Sequence, residues 1–291
     1  TSLIRAINGF DGDRLQEEKA RGITLDLSFS HINTPMRNIA FIDVPGHEKL
    51  VKQMIAGAYG IDVLLLVVAA DDGIMPQTRE HLAIADMLGI TQCVCVLSKV
   101  DKATPTLINQ RKAEITKLFS THTIALIDTL PFALLDSQGK EFEQNPYIDS
   151  LLFLLQTLPK PKKRDYGMVV YYIDRAFSIA GAGCVVTGTL MSGEITKSQE
   201  LHICELQKQV QVRNLQIHDT DCTLATPSHR VALNLTHTNP NELQRGFLLT
   251  QKGFVRGANS IDVQIHCFED KNLKHNTNYE LYIGAKHLPI K

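Results

Sequence analysis

The stretch Asp62-Val63-Leu64-Leu65-Leu66-Val67-Val68 is almost continuously apolar, and it constrains the fold more than any other. A strand with one wet face alternates. A run that is apolar at nearly every position is buried on both faces, as in a parallel sheet covered by helices. Two further runs end abruptly in polar residues: Asn38-Ile39-Ala40-Phe41-Ile42 stops at Asp43-Val44-Pro45-Gly46-His47, and residues 93–97 stop at Ser98-Lys99-Val100-Asp101. Between the runs the pattern turns helical. Residues 48–58 carry Leu50, Met54, Ile55 and Ala58 at helical spacing, residues 71–81 run from a loop into a helix, and residues 149–155 close the series. Strands alternating with helices predict a mostly parallel α/β sheet, in which ligands bind beyond the carboxyl ends of the strands.

Asp43 sits at such an end. A carboxylate there can hold Mg²⁺ beside a nucleotide phosphate, Gly46 can bring its N–H to a terminal phosphate, and His47 can reach toward an attacking water. An ordinary Asp-x-Pro-Gly turn explains the same five residues equally well. Asp71 and Asp72 read as carboxylates of a solvated loop, with a metal site as the alternative. His81 lies within a helix and receives no chemical role.

The 291 residues suffice for two or three domains. Thirty basic residues against 31 acidic leave a net charge of −1, so a nucleic-acid partner has to meet a local basic patch. The six cysteines lack metal-ligand spacing. Cys93 and Cys95 read as small core residues of a strand in a reduced, cytoplasmic protein. No apolar run is long enough to span a bilayer. Residues 158–164, Leu-Pro-Lys-Pro-Lys-Lys-Arg, form a proline-stiffened basic linker, which either touches RNA phosphates or is simply solvated. Beyond it, short alternating runs separated by Gly-rich turns, such as residues 167–173 and 184–189, predict a closed β-barrel.

Glu18-Lys19-Ala20-Arg21-Gly22-Ile23-Thr24, the Asp43–His47 turn and Ser98-Lys99-Val100-Asp101 resemble, in this order, the switch I, switch II and guanine-specificity motifs of translational GTPases. The resemblance implies GTP and Mg²⁺ as ligands. Thr24 and Gly46 would hold the γ-phosphate, Thr24 and Asp43 the metal, and His47 would orient the water. Asp101 would accept the N1–H and exocyclic amine of guanine. Adenine offers no such donor pair, and sites of this kind discriminate by about 10⁴-fold. Lys99 would cover the base, and Ser98 stands where the family has Asn. Phe132-Ala133-Leu134 matches the last base-contacting loop without its Ser, leaving Ala133 and Leu134 as candidates. Thr1 precedes a helical stretch and would supply the metal-binding hydroxyl that follows a phosphate-binding Gly-x-x-x-x-Gly-Lys. The expectation is therefore a fragment lacking that loop.

Phe177 to Thr189, with Arg230-Val231-Ala232-Leu233-Asn234-Leu235 and Arg245-Gly246-Phe247-Leu248-Leu249, resembles domain II of the factors that carry aminoacyl-tRNA. Within that group, residues 13–19, 46–52 and 173–179 look most similar to the bacterial selenocysteine-specific elongation factors. That implies an N-terminally truncated P-loop-type GTPase domain at 1–160, a β-barrel at 165–255 and the start of a second β-barrel at 258–291. It also implies selenocysteinyl-tRNA and the ribosome as partners of a monomer, with an mRNA hairpin bound only through winged-helix domains absent from this chain. Arg175 would face the selenolate, with Asp174 orienting its guanidinium; a structural Asp–Arg pair at a barrel rim is the alternative. Rival expectations are a carrier of the elongation factor Tu or initiation-factor γ type, and a non-hydrolysing RNA-binding regulatory module.

Overall fold

The computed structural model describes residues 2–10, 27–44, 55, 60–136, 138–159, 166–265, 267 and 272–291. Thr1, Thr24, Gly46 and His47 lie outside these residues, as do the switch I loop, the stretch 48–58 read as a helix apart from Ile55, and residues 160–164 of the linker. The chain divides into two compact units, Thr1–Lys162 and Lys163–Lys291.

In the first unit the order is α1 (Ser2–Asn8), β1 (Ser28–Asn33), β2 (Asn38–Asp43), β3 (Leu64–Ala69), α2 (Pro76–Met87), β4 (Gln92–Ser98), α3 (Pro105–Phe119), β5 (Ala125–Pro131) and α4 (Pro146–Thr157). Strands β3, β4 and β5 are parallel neighbours with β4 central. Its side chains alternate between two cores. Cys93, Cys95 and Leu97 pack with Leu82 and Ala85 of α2 and with Ile115, Leu118 and Phe119 of α3. Val94 and Val96 pack with Leu3 and Ile7 of α1, Phe41 of β2, and Ile148, Leu151 and Leu155 of α4. Full burial of each large aliphatic side chain contributes about 1.5–3 kcal/mol, which is why the strand is apolar at every inner position. Burial also makes the two cysteines poor thiolates: the thiol of Cys95 is pushed up to about 12, and that of Cys93 is raised as well.

The helices start where the sequence caps them. The Thr104 hydroxyl accepts from the Leu107 N–H at 3.3 Å before Pro105 opens α3. The Asn145 side chain accepts from the Tyr147 N–H at 3.1 Å before Pro146 opens α4. One strand pair is antiparallel within this mostly parallel unit. β1 and β2 form an antiparallel hairpin, a separate sheet among the described residues. Its turn closes locally: the Thr34 hydroxyl donates to the Arg37 carbonyl at 2.6 Å and accepts the Arg37 N–H at 3.2 Å. Four residues suffice to reverse the chain, whereas a parallel neighbour needs a long crossover.

The second unit holds β6 (Val170–Ile179), β7 (Gly183–Ser192), β8 (Ile195–Thr196), β9 (Glu200–Ile203), β10 (Lys208–Ile217), β11 (Thr220–Cys222), β12 (Leu224–Ala225), β13 (His229–Thr236), β14 (Leu248–Thr250), β15 (Tyr279–Ile283) and β16 (Lys286–Ile290). Strands β9, β10, β13, β7, β6 and β14 are antiparallel neighbours in that order, and β14 pairs back onto β9. The sheet therefore closes as a six-stranded barrel without exposed edges. Its core includes Tyr171, Ile173, Val186, Leu190, Leu201, Val212, Leu233 and Leu249. The buried Tyr171 hydroxyl donates to the Val231 carbonyl at 2.8 Å, which satisfies the one polar atom that this ring carries inside.

Residues 260–265, read as the opening of a second barrel, form no strand. Ile261, Val263 and Ile265 alternate as strand residues do but stay more than half exposed. Alternation produces a strand only where a partner strand accepts its hydrogen bonds, and none pairs here among the described residues. The β15–β16 hairpin instead lies against the six-stranded barrel. Lys286 pairs with Glu205 at 2.8 Å, and Gly284 lies against the Tyr172 ring.

Candidate functional site

Three loops converge at the carboxyl ends of β3, β4 and β5. Asp71-Asp72-Gly73 follows β3, Lys99 with the 3₁₀ turn Val100–Lys102 follows β4, and Phe132-Ala133-Leu134 follows β5. Backbone bonds tie them together. The Ala70 N–H donates to the Ser98 carbonyl at 2.8 Å, the Phe132 N–H to the Leu97 carbonyl at 2.9 Å, and the Val100 N–H to the Phe132 carbonyl at 3.3 Å. The sequence-predicted residues Ser98, Lys99, Asp101, Ala133 and Leu134 thus belong to one end of one sheet.

Each member has a defined setting. The Ser98 hydroxyl donates to the Val68 carbonyl at 3.3 Å, so it clips β4 to β3. Lys99 has φ 57 and ψ 34, a left-handed conformation that costs a non-glycine residue about 1–2 kcal/mol. It turns the chain sharply between the strand and the 3₁₀ turn and directs the Lys99 ammonium back toward the loop after β3. There it donates to Asp71 and Asp72, both at 3.0 Å. The hydrogen bond from Lys99 holds the Asp71 carboxyl below its usual range, and the two carboxylates hold the Lys99 ammonium above its own. Asp101 is exposed within the 3₁₀ turn.

Asn145 went unnoticed in the sequence. Its amide donates to the Ala133 carbonyl at 2.7 Å while its oxygen caps α4, so it fixes the loop after β5. The signal was present as Asn145-Pro146, a helix start. Asp43 ends β2 opposite Ser28, in the β1–β2 hairpin. Among the described residues no group of three or more acidic, His or Cys side chains is arranged to hold a metal, and Asp71 and Asp72 face a lysine instead.

The second candidate cluster lies on the barrel. The β6–β7 register shifts between Ile173 and Arg175, which makes Asp174 a bulge residue. Bulges re-aim a side chain. Asp174 is 12% exposed and pairs with Arg230 of β13, whose other terminal nitrogen donates to the Thr187 hydroxyl at 3.1 Å. The expected partner of Asp174 was Arg175. Arg175 is exposed while the Asp174 carboxyl is turned inward, so Arg230 reaches it across β7. Burial pushes the Asp174 carboxyl up, against the pull of the Arg230, Arg245 and Arg175 charges. Three guanidinium charges therefore act on one largely buried carboxylate.

Among the described residues no helix is long and apolar enough to cross a membrane. Residues 5–241 match the model of the elongation factor Tu GTP binding domain. The chain is 36% identical over 294 residues to the selenocysteine-specific elongation factor of Desulfomicrobium baculatum, covering 100% of this chain and 45% of that protein. It is 36% identical over 248 residues to the factor of the same name from Escherichia coli, covering 84% of this chain and 39% of that protein. The crystal structure of a bacterial selenocysteine-specific elongation factor superposes with a TM-score of 0.84 at 29% identity, covering 99% of this chain and 48% of that one. The chain thus spans less than half the length of these relatives. With a parallel α/β unit followed by a closed barrel, and a family match running through both, the chain belongs to the elongation factor Tu GTP-binding family of translational GTPases.

Proposed function

We propose that the protein to which this chain belongs is a GTP-hydrolysing elongation factor that delivers selenocysteinyl-tRNA to the ribosome, working in the cytoplasm as a monomer. The observation that carries this reading is the 36% identity, sustained along the whole chain, to a protein named for selenocysteine. In this reading Asp101 accepts from guanine, Lys99 covers the base, and the backbone of Ala133 and Leu134 closes the base pocket. Thr1, Thr24 and Asp43 would hold Mg²⁺, which would supply charge neutralisation at the phosphates. Thr24 and Gly46 position the terminal phosphate, and His47 orients the attacking water. Such catalysis is mainly positioning and electrostatic stabilisation.

Cargo selection would rest on the barrel cluster. A selenol ionises below neutral pH, whereas a seryl hydroxyl stays protonated. A cation at the aminoacyl end therefore distinguishes the two by charge. Arg175 is exposed beside the Asp174–Arg230 pair, on the outer side of β6. In the full-length protein bound to a non-hydrolysable GTP analogue, Arg175→Ala is expected to weaken selenocysteinyl-tRNA binding by about 1.5–3 kcal/mol, the scale of a charged hydrogen bond. Seryl-tRNA binding should barely change. Equal losses for both tRNAs would assign Arg175 to the tRNA backbone or the barrel instead.

A further inference from the structure

The loop after β3 has no role in the chemistry above, yet it is built as carefully as the loops that do. Two successive carboxylates, Asp71 and Asp72, converge on one ammonium at 3.0 Å each. The loop that carries them is itself held. The Gly73 N–H donates to the Ala69 carbonyl at 2.8 Å, and Arg111 of α3 donates from Nε to the Ala70 carbonyl at 3.1 Å. Arg111 is in turn braced by Glu114 at 2.8 Å. Gly73, at φ +73, lies so close to the Arg111 guanidinium that a Cβ would stand 2.6 Å from it. The positive φ is a backbone conformation that glycine adopts without steric cost. The geometry on the other side is equally defined, since Ala69 and Ser98 are register partners in β3 and β4 and Lys99 leaves β4 in the left-handed conformation.

An exposed ion pair by itself contributes little to stability, so fold stability does not explain this construction. Preorganisation does. A lysine side chain loses rotamer freedom when fixed, and fixing it before the ligand arrives removes that cost from binding. The ammonium has three donors, and Asp71 and Asp72 take two, which leaves a donor for an oxygen acceptor. We propose that Asp71 and Asp72 are positioning residues of the nucleotide site. They hold Lys99 extended along the rim, with the Arg111-braced loop as their support, and so set the affinity for a guanine nucleotide. The inference rests on the assignment of Lys99 and Asp101 to the base pocket, and its test separates the two.

The measurement is equilibrium binding and dissociation of fluorescent GDP by the full-length protein, with thermal unfolding as the control for folding. Asp71→Asn with Asp72→Asn is expected to raise Kd by about 3- to 10-fold, the range that one pre-ordered flexible side chain supplies. Faster dissociation should account for the loss, and the unfolding midpoint should not move. A double-mutant cycle makes the assignment specific. In a Lys99→Ala background the same two substitutions should cost nothing, or improve binding by removing negative charge near the phosphates. An unchanged or tighter Kd in the native background would overturn the proposal, and so would an equal loss in the Lys99→Ala background. Asp101→Asn, tested separately, should shift preference from guanine toward xanthine nucleotides. If it does not, the base-pocket assignment itself fails, whatever Asp71 and Asp72 do.

Discussion

Asp86 shows how a single side chain at the end of α2 can tie down a neighbouring turn. Its carboxylate accepts from His122 Nδ1 at 2.9 Å, from the Thr123 N–H at 3.2 Å and from the Thr123 hydroxyl. Burial raises its carboxyl, but the bonds from Thr123 and His122 outweigh this and hold it below the usual 3.8. A depressed carboxyl stabilises the fold above its unfolded pKa, and that contribution is lost as pH falls through the folded value. Asp86→Ala should therefore lower urea stability at pH 7 by about 1.5–3 kcal/mol. The gap between variant and native protein should close below about pH 3.8; a gap that stays constant with pH would show that the loss is packing and not charge. At this scale the sequence was legible where side-chain chemistry is local. Cys93 and Cys95 read as core residues and are fully buried. The pairing of Asp174 with Arg230 was not legible, because 56 residues separate them and only the barrel's strand order brings them together.

Among the elements, β4 and β6 illustrate two ways in which a strand specifies its surroundings. β4 is apolar on both faces, and its pattern alone announces a parallel strand between helix layers. β6 is apolar inward only as far as Ile173 and then bulges at Asp174. Opposite the bulge stands Gly188 of β7, where a Cβ would meet the Tyr172 carbonyl at 2.0 Å and the Tyr171 ring at 2.9 Å. Glycine is required there by close backbone approach. Gly188→Ala is expected to destabilise the barrel by at least about 1–3 kcal/mol, the usual cost of overpacking. It should also displace Asp174 from Arg230. Chemical denaturation followed by the tyrosine signal checks the first, and a normal midpoint would show that β6 can shift freely. Gly-rich turns and short alternating runs made the barrel legible in outline. The bulge was not, since neither Gly188 nor Asp174 carries a local signal for it.

Across the whole chain, the second unit takes in more than the barrel. Gly246, at φ +87, lies where a Cβ would stand 2.5 Å from the Lys286 backbone, and Lys286 pairs with Glu205. The β15–β16 hairpin is thereby joined to the barrel at Lys286 as well as at Gly284. Gly246→Ala combines a disfavoured backbone with a clash, and should release the hairpin. Hydrogen exchange at residues 279–290 should then quicken while β10 and β13 keep their protection. If barrel and hairpin quickened together, they would be one cooperative unit. By itself the sequence determined the alternation of strands and helices, the change of rhythm after residue 164, the core faces and the loops that follow β4 and β5. These follow from periodicity, from breaks in apolar runs and from residue types whose chemistry acts over a few positions. Only the tertiary structure decided that β1 and β2 pair antiparallel, that residues 260–265 have no partner strand among the described residues, that Lys99 is held by Asp71 and Asp72, and that Asp174 turns to Arg230. Each of these depends on which distant segment arrives alongside, and that is set by packing of the whole chain and not by any stretch within it.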